Sequence, residues 1–158
     1  FKTLGFAAAA SLVSGSASDF PSFDAFHANC AMDTTFDAPC EQIFANIKSE
    51  VNSWNAGGPS HGLYKEKESA ENVYLWTTRT TPKAHYVDDI IFEMKSINAS
   101  ACTVSSKSKS QTLSYYDYDT NFCNQWNVLS RAGDIKTLSP NHCKFQPKNI
   151  EKTCAKYC

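Results

Sequence analysis

Two adjacent carboxylates, Asp88 and Asp89, are candidates for acid–base catalysis. Close carboxyl groups act as a general acid and a general base when their surroundings drive their pKa values apart. The run that holds them, 85–97, alternates between apolar and polar residues and therefore predicts a β-strand. Successive side chains of a strand point to opposite faces, so the two carboxylates cannot form a catalytic dyad unless a bulge separates them.

Asp88 shares its face of the predicted strand with apolar residues, which places this carboxylate inside the protein. A buried charge without partners costs several kcal/mol, so Asp88 needs hydrogen bonds or an opposite charge. We predict that the hydroxyls of Ser106 and Ser108, or the guanidinium of Arg79, supply them, whereas Asp89 points into solvent. Asp88, Ser106 and Ser108 are therefore candidate ligand-binding residues, with a purely structural role as the alternative.

The stretch from Tyr115 to Asn121 joins three tyrosine rings to two carboxylates and an amide, just before a predicted helix. Such a set could line a site for a sugar or an aromatic ligand, because rings stack on flat ligands while carboxylate and amide groups hold hydroxyls. The candidate ligand-binding residues of this stretch are Tyr115, Tyr116, Asp117 and Asn121. The structural alternative is that Asp119 or Thr120 caps the helix and the tyrosines cover the sheet edge.

Catalytic and metal-binding patterns are weaker than this binding pattern. A serine, His85 and Asp88 could be combined into a hydrolytic triad, but the sequence contains no Gly-x-Ser-x-Gly turn. No Cys-x-x-Cys pair occurs, and the four histidines lack the spacing of zinc ligands. We therefore predict no catalytic residues, no metal and no cofactor, and we keep a hydrolase as an alternative.

The cysteines indicate the redox compartment of the protein. They are Cys30, Cys40, Cys102, Cys123, Cys143, Cys154 and Cys158. Seven cysteines in a chain of 158 residues predict structural disulfides formed in an oxidising compartment, with one cysteine unpaired. The pairing that we predict joins Cys30 to Cys40 and Cys102 to Cys123, and joins two of the three carboxy-terminal cysteines to each other.

The first residues resemble a secretory leader. Lys2 precedes an apolar run, and small residues follow at 14–18, which predicts a signal peptide over 1–18 with cleavage after Ala17 or Ser18. The run is too short to span a bilayer, so we predict no membrane span, and an apolar helix that stays attached is the alternative. The protein is then secreted or held in the lumen of the secretory or vacuolar pathway. Asn98-Ala99-Ser100 is an N-glycosylation acceptor in a predicted turn.

Length and charge narrow the classes of partner. The chain has room for one domain, and its 15 basic and 16 acidic side chains give a net charge of -1. Such a balance offers no attraction to a phosphate backbone, so we predict no nucleic acid partner. The predicted organisation is a signal peptide at 1–18, an α+β domain at 19–133 and a Cys-rich irregular tail at 134–158.

The elements that position the candidate residues follow from periodicity. Apolar residues at spacings of three and four from Cys40 to Trp54 predict a helix, and a second helix is predicted over about 121–131. Strands are predicted at about 63–68, 72–80, 85–97 and 101–113, with short links that imply antiparallel neighbours. The order predicts an α+β fold, an antiparallel sheet of about four strands with two helices packed on one face, stapled by disulfides.

Three motifs of this sequence occur together in a known family. They are Thr80-Thr81-Pro82 leading into Tyr86 to Phe92, the alternating run Ser106 to Ser110, and Asp117 with Asn121 four residues later. On these motifs, residues of about 37–129 resemble the domain of unknown function numbered fourteen ninety-nine. Asp119 stands where that family typically has glycine, and Lys107 or Lys109 replaces its arginine. The resemblance implies an α+β domain and no established activity.

These observations favour a secreted, disulfide-stabilised module without catalysis that binds a small molecule or a glycan. Its predicted recognition surface is the sheet face around Asp88 together with the loop from Tyr115 to Asn121. A structural extracellular protein that assembles with copies of itself is an alternative from another class, and its self-association would use the odd cysteine. The third alternative is the hydrolase.

Overall fold

A computed structural model of the protein describes residues 16–55 and 63–157. The signal-peptide prediction lies almost wholly outside these ranges, as does Cys158. The strands are β1 (Asn29–Phe36), β2 (Leu63–Ala70), β3 (Tyr74–Thr80), β4 (Val87–Asn98), β5 (Ala101–Ser110) and β6 (Ile135–Cys143). The α-helices are α1 (Cys40–Trp54), α2 (Thr120–Ala132) and α3 (Ile150–Cys154).

The strands form one antiparallel sheet in the order β2-β3-β4-β5-β1-β6, which confirms the α+β class. The sheet has six strands where the sequence predicts about four. The predicted four correspond to β2, β3, β4 and β5, and β1 and β6 are the additions. Both additions have weak local signals: β1 is rich in small and polar residues, and Pro140 interrupts β6. Proline is tolerated in β6 because this strand lies at the sheet edge.

The prediction of an irregular tail at 134–158 is wrong because β6, which lies in it, has only a weak local strand signal. Its first part is β6, which pairs with β1 along most of that strand, and its last part contains α3. Pairing between β1 and β6 joins residues about a hundred positions apart in the chain, and no local pattern reports it. The tail is therefore an integral part of the sheet.

Both long helices lie on one face of the sheet, as the sequence predicts. α1 buries the stripe of Ile43, Ile47 and Val51, spaced by four, because side chains at that spacing share one face of a helix. The same core cluster contains Leu129 of α2 and Phe92 of β4, so the two helices and the sheet share one hydrophobic core. Among the described residues, no helix is long and apolar enough to cross a membrane.

The other face of the sheet is covered by the amino-terminal segment 16–28, here called the arm. Phe20 of the arm packs against Trp76 with 5.4 Å between ring centroids, inside a second small apolar cluster. Lys109 of β5 fixes the arm further by donating to the carbonyl of Ser22 at 2.6 Å and to Asp24 at 2.7 Å. The sheet is therefore buried on both faces at its centre.

Three disulfides staple this arrangement and confirm that the protein is disulfide-bonded. They join Cys30 to Cys143, Cys40 to Cys102, and Cys123 to Cys154. The predicted pairing is wrong because β1 separates Cys30 from Cys40 by the length of a strand. The register of the sheet instead sets Cys30 opposite Cys143, and sets Phe36, near Cys40, opposite Cys102. Three bridges fit an oxidising compartment.

Candidate functional site

Asp88 lies inside the protein, as predicted, at the end of the sheet where β4 begins. It is 2% exposed and accepts hydrogen bonds from Ser110 Oγ at 2.6 Å and from Asn124 Nδ2 at 2.8 Å. The predicted donors, Ser106 and Ser108, lie farther along β5 and bond elsewhere. Burial raises the pKa of Asp88, and the hydrogen bonds from Ser110 and Asn124 and the charge of Arg79 oppose that rise.

Arg79 faces Asp88 from the neighbouring strand. The two residues are directly paired between β3 and β4, and Arg79 is 1% exposed. Within residues 16–55 and 63–157 its Nε and Nη1 atoms have no hydrogen-bond partner, and the same holds for Asn124 Oδ1. Arg79 therefore supports Asp88 through its charge and not through a direct hydrogen bond.

Ser106 and Ser108 are buried and hold α2 on the sheet. Ser106 Oγ donates to Gln125 Oε1 at 2.7 Å, and Ser108 Oγ donates to Asn121 Oδ1 at 2.7 Å. Asn124 Nδ2 also donates to Ser108 Oγ at 3.2 Å. The polar face of α2 thus lies on the serine face of β5, which explains why that strand face becomes polar toward its end.

Asp117 organises the loop before α2. Its Oδ1 accepts from the backbone amide of Asp119 at 3.2 Å, and its Oδ2 accepts from the backbone amide and Nδ2 of Asn121 at 3.0 and 2.9 Å. We expected the side chain of Asp119 or Thr120 to cap the helix, but neither side chain makes a capping hydrogen bond. Asp119 occupies the N-cap position with a left-handed φ of 69° and makes no cap hydrogen bond. Asp117, two residues earlier, satisfies the first free amides instead.

An open cleft of about 310 Å³, here called the tyrosine cleft, lies at this end of the sheet. The rings of Tyr86, Tyr116 and Tyr118 and the carboxylates of Asp88 and Asp117 line it, together with hydroxyl side chains such as Ser110. Tyr116 is 64% exposed and Tyr118 is 80% exposed, so their rings are accessible at the rim. The structure therefore brings together Asp88, Tyr116 and Asp117 of the predicted set, and it places Asn121 directly behind Asp117.

A second cleft of about 220 Å³, here called the lysine cleft, adjoins the first and is lined by Tyr115. Its other lining residues include Asp24, His27, His142 and Lys144. The rings of Tyr115 and Tyr116 meet edge to face, 4.9 Å apart, and form a ridge between the clefts. Tyr115 therefore does not share the cleft that contains Asp88.

Several lining residues are absent from the predicted set. Tyr118 belongs to the same aromatic stretch, and Ser110 continues the alternating serine face of β5, so both were within reach of pattern reasoning. Tyr86 also lines the cleft, and it lies two residues before Asp88 on the same face of the predicted strand 85–97. Asn124 does not line the cleft but binds Asp88 from the second turn of α2. Only the three-dimensional packing brings Asn124 to Asp88.

Asp89 lies on the opposite face of β4 from Asp88 and is not in solvent. It is 3% exposed, accepts from Trp76 Nε1 and Gln111 Nε2 at 2.8 Å each, and forms an ion pair with Lys67 at 3.5 Å. The prediction of a solvated Asp89 is wrong because the arm covers this face. The two carboxylates point to opposite faces and do not form a dyad.

Comparisons with known proteins give a distant likeness of fold. No protein-family model matches the chain, and no curated protein matches it. CalU16 from Micromonospora echinospora is 9% identical with a TM-score of 0.49, covering 66% of this chain and 71% of that one. The ZhuI aromatase/cyclase from Streptomyces sp. R1128 is 12% identical with a TM-score of 0.38, covering 67% of this chain and 93% of that one. The di-domain aromatase/cyclase BexL is 15% identical with a TM-score of 0.35, covering 64% of this chain and 44% of that one.

Proposed function

We propose that this protein is a secreted, disulfide-stabilised binding module without catalysis, and that its ligand is a glycan held in the tyrosine cleft. The observation that carries the proposal is the meeting of three tyrosine rings and two carboxylates in one open cleft of about 310 Å³. Each side chain type matches a part of a sugar. Rings match its apolar C–H faces, and carboxylates match its hydroxyl groups.

The tyrosine rings supply an exposed surface on which a sugar can stack. Tyr116 and Tyr118 are largely exposed, although burying an aromatic side chain would stabilise the fold. Six of the large hydrophobic side chains with high exposure lie in or beside the two clefts, namely Phe26, Tyr86, Leu113, Tyr115, Tyr116 and Tyr118. Exposed large apolar side chains that cluster around clefts in this way are typical of a recognition site.

The two carboxylates are held in place before any ligand arrives. A carboxylate can accept about four hydrogen bonds, so Asp117, which accepts three, and Asp88, which accepts two, both retain acceptor capacity. Asn121 and Asn124 fix these groups from the buried side of the cleft. Acceptors held in this way lose little conformational entropy on binding, which favours affinity.

The packed interior favours surface recognition over an enclosed apolar ligand. Trp54, Ile47 and Phe92 fill the space between the sheet and the helices and are fully buried. The tyrosine cleft is open, and its lining mixes rings with hydroxyl and carboxylate groups. A flat, hydroxyl-rich ligand fits that surface better than a fully apolar one does.

The family resemblance and the extracellular location belong to this proposal. Thr81, Asp88, Ser110 and Asp117, which belong to the motifs that carry the resemblance or continue them, line one cleft. That convergence supports membership of the domain of unknown function numbered fourteen ninety-nine. The predicted signal peptide at 1–18 and the three disulfides are the grounds for proposing secretion.

Replacing both Tyr116 and Tyr118 with alanine should weaken glycan binding by about fivefold to about 150-fold, because each stacked ring contributes about 0.5 to 1.5 kcal/mol. The glycan comes from an array of neutral and acidic oligosaccharides, and titration calorimetry measures the affinities. The free energy of unfolding should fall by no more than about 1 to 2 kcal/mol, because both rings are exposed and Tyr116 loses only its ring contacts with Tyr115 and Phe145.

The matched control for that experiment is Ile97→Ala, which removes an exposed apolar side chain at the far end of β4. Binding should be unchanged in this variant. Equal binding by the double tyrosine variant and the wild type would contradict the proposed site. If no oligosaccharide on the array binds and the protein runs as a covalent dimer on a non-reducing gel, the self-assembling alternative is favoured.

We also expect Asn98 to carry an N-linked glycan when the protein passes through a eukaryotic secretory pathway. Asn98 and Ser100 are exposed in the β4–β5 turn, where the Ser100 hydroxyl donates to Asn98 Oδ1 at 3.1 Å. A gel mobility shift should vanish on treatment with peptide N-glycosidase, and both Asn98→Gln and Ser100→Ala should lack it. Asp88 lies roughly 30 Å away along β4, so ligand binding should be unaffected. Unmodified wild-type protein from such a host would contradict the prediction.

A further inference from the structure

The lysine cleft has the opposite charge from the tyrosine cleft. Lys144 lies over the Tyr115 ring, with its Nζ 3.0 Å from the ring centroid, and His27 and His142 line the same cleft. Among the described residues, Lys144 forms no ion pair. The tyrosine cleft, by contrast, is lined by the two aspartates and by no lysine or arginine.

The negative charge of Asp24, the carboxylate in the lysine cleft, is already balanced by neighbouring side chains. Lys109 Nζ lies 2.7 Å from its Oδ2, and His27 Nδ1 lies 2.8 Å from its Oδ1. The Lys109 and His27 side chains hold the pKa of Asp24 well below its usual range, so this group stays ionised while its charge is balanced. The uncompensated charge of the cleft is therefore the positive charge of Lys144.

The two clefts are continuous at Ser114. This residue lines both of them, and its Oγ is buried without a hydrogen-bond partner among the residues that the structure describes. Tyr115 and Tyr116 form the ridge between the clefts, with one ring on each side. An extended ligand could therefore lie across the ridge and occupy both clefts.

We infer that the ligand is an acidic glycan, with a neutral sugar unit in the tyrosine cleft and an anionic group in the lysine cleft beside Lys144. The inference rests on the proposed function and names the class of its ligand. Asp117 repels an anionic group, whereas Lys144 attracts one, so the two clefts also fix the direction in which the glycan binds. A neutral glycan would use the tyrosine cleft alone.

The test compares 3′-sialyllactose with its methyl ester, since the pair differs in the charge of one carboxylate. Binding is followed through backbone amide shifts in nitrogen-edited NMR spectra. Both compounds should shift the amides of Tyr116 and Asp117. The acid should bind about threefold to fivefold more tightly, as expected for an exposed ion pair, and should also shift the amides of Asn29 and Lys144.

The variant Lys144→Gln should bind the acid no more tightly than the ester, and Lys148→Gln, an exposed lysine that does not line the cleft, should behave as the wild type does. Equal affinity of the wild type for the acid and the ester would overturn this inference and leave the proposed function standing. No shift at Tyr116 or Asp117 with either compound would contradict the proposed site itself, and this inference with it.

Discussion

Replacing Cys40 and Cys102 together with alanine is expected to lower the free energy of unfolding by about 4 kcal/mol. This bridge joins the first residue of α1 to the second residue of β5, across a sequence separation of 62, and both cysteines are buried. Removing the bridge restores freedom to the unfolded chain, and the entropy gained grows with the length of the closed loop. Urea unfolding of oxidised protein measures the difference.

The control for that measurement is Cys158→Ala, because the three bridges use the other six cysteines. Its free energy of unfolding should match the wild-type value. A loss below about 1 kcal/mol in the Cys40→Ala, Cys102→Ala variant would show that the bridge is dispensable for the fold. The interpretation of the protein as disulfide-stabilised would then be wrong for the bridge that ties α1 to β5.

The second large effect is expected from Asp88→Ala, which should cost about 3 to 5 kcal/mol of stability. The substitution leaves Arg79 buried without the facing carboxylate and removes the acceptor used by Ser110 and Asn124. Asp88→Asn keeps an acceptor oxygen for Ser110, and Asn124 can turn its unpartnered Oδ1 toward the new amide. The asparagine variant should therefore lose less than half as much stability.

A comparison of the wild type with Asp88→Asn tests the pKa of Asp88. Burial raises this pKa above its value in the unfolded chain, so the folded state binds the proton more tightly. The resulting contribution to stability is complete below the unfolded pKa of 3.8 and is lost as the pH rises through the folded pKa. Compared with Asp88→Asn, the wild type should thus lose stability between acidic and neutral pH. A gain over that interval would contradict a raised pKa.

The asparagine variant also separates a structural role of Asp88 from a role in binding. We expect weaker glycan binding by Asp88→Asn, because a neutral amide accepts hydrogen bonds from sugar hydroxyls less strongly than a carboxylate does. Unchanged glycan affinity in a stably folded Asp88→Asn variant would assign Asp88 to the support of α2 alone. The binding site would then depend on Asp117 and the rings.

Local periodicity was sufficient to predict several elements. The spacing of Ile43, Ile47 and Val51 predicted α1, and alternation along β4 placed Asp88 on the helix side and Asp89 on the other side. The tyrosines and polar residues that the sequence places before a helix lie in the loop that lines the tyrosine cleft. These signals are local because the side chains involved lie within a few residues of one another.

Features that depend on distant parts of the chain could not be predicted in this way. The partners of Ser106 and Ser108 come from α2, whose position on the sheet no strand pattern reports. Asp89 is buried because an arm some seventy residues earlier in the chain packs over it, as Phe20 does on Trp76. The disulfide pairing likewise follows from the strand register and not from the spacing of the cysteines.

A crystal structure of the protein with the tightest-binding glycan from the array is the most direct test of the binding site. The account predicts a sugar ring within about 4 Å of the Tyr116 or Tyr118 ring, and a sugar hydroxyl within hydrogen-bonding distance of the Asp117 carboxylate. A glycan bound instead on the outer sheet face near Trp76, or at the β4–β5 turn, with the tyrosine cleft empty, would contradict it.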